Sequence, residues 1–203
     1  MKKTDLKKTH KHCYSAGGDF RFIKVPSIQY ITYKGKGDPN KSEDFQHAMG
    51  VLYGLAYTIK FTVKEDDHDF TVMPLEGQWW AEDPRDFREN RKDKWFWKMM
   101  IAVPDFIDGR IFEAGKTKLK DKKDPPGLEK AALETIEDGE AVQYLHIGSY
   151  SEEGPGIAKM HSFISEKGYR LRGHHREIYL SNPQRTPEEK LKTIIRHPVE
   201  KVK

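Results

Sequence analysis

The amino-acid sequence predicts an α+β fold: two strand-helix-strand-strand modules, the second an architectural duplicate of the first, with antiparallel sheets, helices on one face and a central pocket at the seam. Three observations lead there. Each half contains one stretch of apolar residues at helical spacing, Phe45, Met49, Leu52, Ala56, Ile59 and Val63 in the first and Ile157, Met160, His161 and Ile164 in the second. Runs of strand length stand before and after each stretch. A glycine-containing turn precedes each helix (Gly35-Lys36-Gly37-Asp38; Gly148-Ser149-Tyr150), and a strand carrying a glutamate follows it, with Glu76 in one half and Glu177 in the other. The halves share element order rather than sequence identity.

Residues 1–18 are polar and end in Gly17-Gly18, so they are expected to form a flexible lead-in to a single domain over 19–203, whose halves cover about 19–103 and 128–203. The first strand is expected at 20–25 and a second at 28–33. The first helix begins near Asn40, which with Glu43 makes an N-cap pair. Residues 70–80 read as a strand that Pro74 pushes towards an edge or a bulge. A charged connection, 81–94, leads to a strand at 95–103 and closes a long hairpin. A weaker helix follows Pro104-Asp105, with Ile107, Ile111, Ala114 and Leu119 on one face and Phe112 on a flank. Gly109 and Gly115 cost it about 1 kcal/mol each if they lie inside it. Asp124-Pro125-Pro126-Gly127 breaks the chain, and 128–137 and 140–150 are expected to form a hairpin about Asp138-Gly139. The next helix starts after Pro155 and stops at Gly168. The Glu177 strand, a helical turn at 186–190 and a last strand at 191–196 complete the order.

Composition excludes several functional classes. Lys and Arg number 36 against 32 Asp and Glu, and because both signs are interspersed the +4 balance favours solubility and gives no nucleic-acid footprint. The basic run 116–123 reads as a solvated helix end. The longest apolar stretch, within 49–59, falls far short of the roughly 20 residues that a bilayer requires, so no membrane partner is expected. Cys13 is the only cysteine, which forbids an intrachain disulfide and places the chain in a reducing cytoplasm. His10, His12 and Cys13 lack a fourth ligand at a recognisable spacing. No metal or other cofactor is expected, and the oligomeric state is open.

Glu177 is the lead candidate for chemistry. Period-two alternation in His174-His175-Arg176-Glu177-Ile178-Tyr179-Leu180 sends its carboxylate and the Tyr179 ring to one face, with Ile178 and Leu180 on the other. A carboxylate among aromatic rings invites either a cationic ligand or a raised pKa suited to acid/base work. Glu76 stands next to Trp79 and Trp80 and is the matching acid of the first half. Antiparallel pairing brings those tryptophans towards Trp95 and Trp97, so all four tryptophans collect in one hairpin and offer a ligand wall. Tyr57 flanks the first helix and Phe112 the second, and both are added to the ligand-binding candidates. His161 reads as a satisfied core histidine.

The segments Gly37-Asp38-Pro39, Met73-Pro74-Leu75-Glu76-Gly77-Gln78-Trp79-Trp80 and Arg176-Glu177-Ile178-Tyr179-Leu180-Ser181-Asn182-Pro183, with Thr186-Pro187-Glu188-Glu189-Lys190-Leu191-Lys192-Thr193, resemble the GyrI-like small-molecule-binding proteins in their stand-alone bacterial branch. The likeness runs from about Phe20 to the C-terminus. It implies two modules of the SHS2 type around a pocket for a lipophilic, often planar molecule, with Glu177 as the central glutamate. Many such proteins are fused to DNA-binding domains, for which the N-terminal extension here is too short. One branch is further implied to hydrolyse the strained cyclopropane of DNA-alkylating compounds related to yatakemycin. In that reaction Glu177 activates water, Tyr144 or Tyr179 donates to the developing phenolate, and Trp79, Trp80 or Trp97 stacks on the substrate. A small-molecule binder without catalysis is the alternative.

Overall fold

The computed structural model describes residues 3–202. In chain order it contains β1 (Lys3–Thr4), α1 (Leu6–Thr9), β2 (Arg21–Lys36), α2 (Glu43–Glu65), β3 (Asp69–Phe70), β4 (Leu75–Trp80) and α3 (Pro84–Arg88). Then come β5 (Phe96–Val103), α4 (Gly109–Lys123), β6 (Ala131–Ile147), α5 (Glu153–Glu166), β7 (Tyr169–Leu171), β8 (His175–Tyr179) and β9 (Lys192–Lys201). This is a mixed α+β fold whose longer strands pair antiparallel, as the sequence predicts. Among the described residues, no helix is long and apolar enough to cross a membrane. The chain divides into two compact units, one of Met1–Thr9, Ile28–Met73 and Gly77–Ile136, the other of His10–Ser27, Pro74–Glu76 and Glu137–Lys203.

In the first unit, β2 pairs with β5 from Gln29↔Val103 to Lys36↔Phe96. Gly35 faces Trp97, whose ring lies where a Cβ on residue 35 would be, 2.2 Å from the nearest ring carbon. Only glycine allows that approach. Ser42 caps α2 by accepting from the Phe45 amide at 3.2 Å, and Glu43 and Asp44 in the first turn suit the helix dipole. The cap is therefore Ser42 and not the expected Asn40, whose amide instead donates to Asp38. The core face of α2 carries Ala48, Val51, Leu52, Leu55, Ala56, Ile59 and Val63, while Phe45 and Met49 sit at its margin. Asp108 caps α4, and Gly115 lies inside that helix because Ile59 of α2 occupies the space of a side chain there. The lysines of its last turn are exposed, as a solvated helix end requires.

In the second unit, β6, β8 and β7 all pair antiparallel with β9. Helix α5 lies on this sheet through Met160 and Ile164, which join Val142, Tyr144, Ile195 and Val199 in one core. Each of those fully buried aliphatic side chains contributes about 1.5–3 kcal/mol.

Several elements differ from expectation. The runs 20–25 and 28–33 are one continuous strand, β2, since Pro26 does not interrupt it. The expected hairpin about Asp138-Gly139 is likewise one strand: Gly139 takes φ +63° inside β6, as a bulge glycine does, and the Asp138 carboxylate bonds Arg176. Residues 70–80 split into β3 and β4, with Pro74 in the break. Strand β9 runs on to Lys201, five residues past the expected end at Arg196. Helix α5 begins at Glu153, two residues before Pro155. The N-terminal segment holds β1, α1 and a 3-10 turn, and Cys13 is completely buried.

Candidate functional site

Register and alternation sort the second unit's sheet into two faces. Glu177 lies opposite Ile195, which lies opposite Tyr144; Tyr179 lies opposite Thr193, which lies opposite His146. Directly opposed residues share a face, so these side chains, with His175 and His197 one alternation further on, lie on the face that α5 covers. Arg176 and Arg196, also opposite one another, lie on the other.

That other face is a closed polar network. Arg176 donates to Glu76 at 3.0 Å and to Asp138 at 3.0 Å, and Tyr14 donates to the second oxygen of Glu76 at 3.0 Å. Arg196 donates to Gln143 at 2.9 Å and to the Cys13 carbonyl, while Gln143 donates to the carbonyls of His12 and Ser15. Two buried guanidiniums thus balance two buried carboxylates, and they fasten residues 12–15 to the sheet. Glu76 corrects the expected geometry. By sequence it is the matching acid of the first half, but its partner Arg176 alternates with Glu177 along β8, which sets the two acids on opposite faces. Its acceptors are filled and it is fully buried, so it holds the fold together.

The α5 face carries the chemistry. Tyr179 donates to one oxygen of Glu177 at 2.7 Å and His175 donates to the other at 3.2 Å. The Glu177 side chain remains 13% exposed. Glu153, the first residue of α5, meets it from above. Burial, and next the charge on Glu177, push the Glu153 carboxyl up to about 9, and it hydrogen-bonds to Glu177 in its protonated form. Glu153 therefore keeps its proton, as expected when like charges are forced together away from water. Tyr144 stands beside them, its phenol pushed up to about 12 by burial and by the charges of Glu153 and Glu177. Its hydroxyl rests on the first turn of α5, where a Cβ on Gly156 would come within 2.2 Å of it. Phe20 meets the Tyr144 ring edge-on at 5.1 Å, and Tyr150 meets Tyr179 edge-on at 5.6 Å. A line of imidazoles continues the site: His175 is 6.1 Å from His197, which is 5.3 Å from His161 between ring centroids. Burial lowers His161 and pushes His197 down to about 2, so both are neutral. Among the described residues, no group of three or more His, Cys, Asp or Glu side chains is placed to hold a metal ion.

The structure therefore brings together Glu177, Tyr144 and Tyr179. The remaining aromatic candidates belong to the first unit. Trp97 is fully buried between Tyr33 and Phe45, and Trp79 is buried against Phe45 and Trp95. Trp80 is part-exposed, stacked on Phe96 with the Lys34 ammonium over its ring. Phe112 is buried on α4, and Tyr57 is 48% exposed on α2. Sequence reasoning missed Glu153, His175 and His197. A signal for Glu153 existed, because the inner stripe Ile157, Met160, His161, Ile164 extended back by one turn lands on residue 153. Starting the helix after Pro155 hid it.

Residues 18–200 match the model of the GyrI-like small molecule binding domain. An uncharacterized conserved protein from Listeria innocua is 37% identical over 98% of this chain and 100% of its own, with a TM-score of 0.90. A hydrolase from Listeria innocua is 36% identical with the same coverage and a TM-score of 0.86. The C-terminal domain of EcmrR, 13% identical over 91% of this chain and 98% of its own, has a TM-score of 0.59 and shares the fold alone. No curated protein matches the chain.

Proposed function

Since the chain belongs to the GyrI-like small-molecule-binding family, we propose that it takes up a planar lipophilic compound and adds water across an activated, strained ring, a detoxifying hydrolysis of yatakemycin-type cyclopropanes. The arrangement that carries this reading is Glu177, held by Tyr179 and His175, beside Glu153, whose carboxyl burial pushes up to about 9. The description of a 36% identical relative as a hydrolase supports it. Glu177 accepts a proton from water as the water oxygen attacks the ring methylene. The breaking carbon–carbon bond sends its electrons through the dienone to the carbonyl oxygen. That oxygen becomes a phenol by taking the proton of Glu153, while the Tyr144 hydroxyl donates a hydrogen bond to it as charge develops; both groups hold their protons at neutral pH.

The test is incubation with a dienone-cyclopropane substrate followed by mass spectrometry. Addition of one water, lost in Glu177→Gln, supports the reading. A second reading, binding without turnover, draws on the same pair, which carries a single net negative charge and suits a lipophilic cation. Unchanged substrate mass together with affinity that Glu177→Gln abolishes would establish that alternative.

A further inference from the structure

The outer face of α2 carries an exposed aromatic stripe that the proposed hydrolysis leaves unused. Tyr53 is 39% exposed, Tyr57 48% and Phe61 57%, and the Tyr57 and Phe61 rings stack at 6.3 Å. They point away from the buried residues of α2, and each keeps more than a third of its surface exposed. The stripe begins at exposed Glu43 and ends at exposed Lys64. Between them lies Gly50, exposed, with no atom within 4 Å of the place a Cβ would take. A mid-helix glycine costs about 1 kcal/mol relative to alanine, and no neighbour among the described residues accounts for this one.

We propose that α2 docks antiparallel onto α2 of a second copy of this chain. In the register that sets Gly50 against the second copy's Tyr57, Glu43 meets Lys64, because the two numbers of each pair have the same sum. Tyr57 thus lies over a glycine, and each end of the stripe finds the opposite charge. Twofold symmetry applies every contact twice. The helix is about 35 Å long at 1.5 Å per residue. A strip of roughly 400 Å² per copy is about half that of a standard stable interface, so the dimer forms and dissociates with concentration.

Sedimentation velocity over a wide concentration range tests this. The wild type is expected to move from monomer towards dimer as concentration rises. Glu43→Lys alone and Lys64→Glu alone are expected to stay monomeric through like-charge contacts at both ends, while a mixture of those two variants dimerises again. Gly50→Leu fills the slot for Tyr57 and is expected to weaken association at least tenfold, with the circular dichroism of the monomer unchanged. A wild type that stays monomeric at every concentration overturns the proposal. So does a dimer that tolerates Gly50→Leu, or variants that fail to dimerise on mixing.

Discussion

At the scale of single residues, the site depends on protonation states that are set by position. Glu153 keeps its proton because α5 presses it into the sheet beside a carboxylate, and an exposed glutamate at a helix N-terminus would be ionised. Under the proposed chemistry, Glu177→Gln removes the base and is expected to lower single-turnover hydrolysis by about 100- to 10,000-fold. Ligand affinity should stay within about tenfold, as a titration would show. Glu153→Gln imitates the protonated acid in shape but has no proton to give. Its expected signature is a slowed rate with binding kept, and an unaltered rate would leave proton donation to Tyr144.

At the scale of elements, one glycine sets the height of α5 above the sheet. Gly156 touches the Tyr144 hydroxyl so closely that Gly156→Ala must push the ring or the helix aside. Overpacking of this kind costs about 1–3 kcal/mol, and chemical denaturation should show it as a lowered midpoint with unchanged slope. The opposite face of the same strands depends on charge balance. Arg176→Met leaves Glu76 and Asp138 buried without their cation, with an expected loss of about 3–5 kcal/mol. The double change of Arg176→Met with Glu76→Gln should recover part of that loss.

For the molecule as a whole, two buried groups shape stability against pH in opposite directions. Glu153 holds its proton to about 9 when folded and releases it near 4.5 when unfolded, so its contribution is complete below 4.5 and declines as pH rises towards 9. His197 stays neutral down to about 2 when folded, whereas the unfolded ring protonates near 6.5. Its contribution is complete above 6.5 and declines as pH falls. Between 4.5 and 6.5 the two slopes cancel, and beyond either limit one remains, worth about 1.4 kcal/mol per pH unit. A flat-topped profile of melting temperature is expected, and Glu153→Gln should flatten its alkaline side and replace the plateau between 4.5 and 6.5 with a rise, since His197 alone then titrates there.

The sequence by itself determined the α+β class, the order of the longer elements, and the placement of Glu177 and Tyr179 on one strand face, because periodicity and turn residues are local properties. It also contained the resemblance through which the family is legible. Only the tertiary structure decided which carboxylate Glu177 meets. Glu76 and Glu153 are both far from it along the chain, and the choice rests on Arg176 drawing Glu76 to the opposite face while α5 lowers Glu153 onto the near one. Asp138-Gly139 shows the same limit: the dipeptide is locally suited to a hairpin turn, yet a buried guanidinium holds Asp138 within a continuous strand. Pairing of buried charges couples residues that the chain keeps apart, and local pattern carries no record of it.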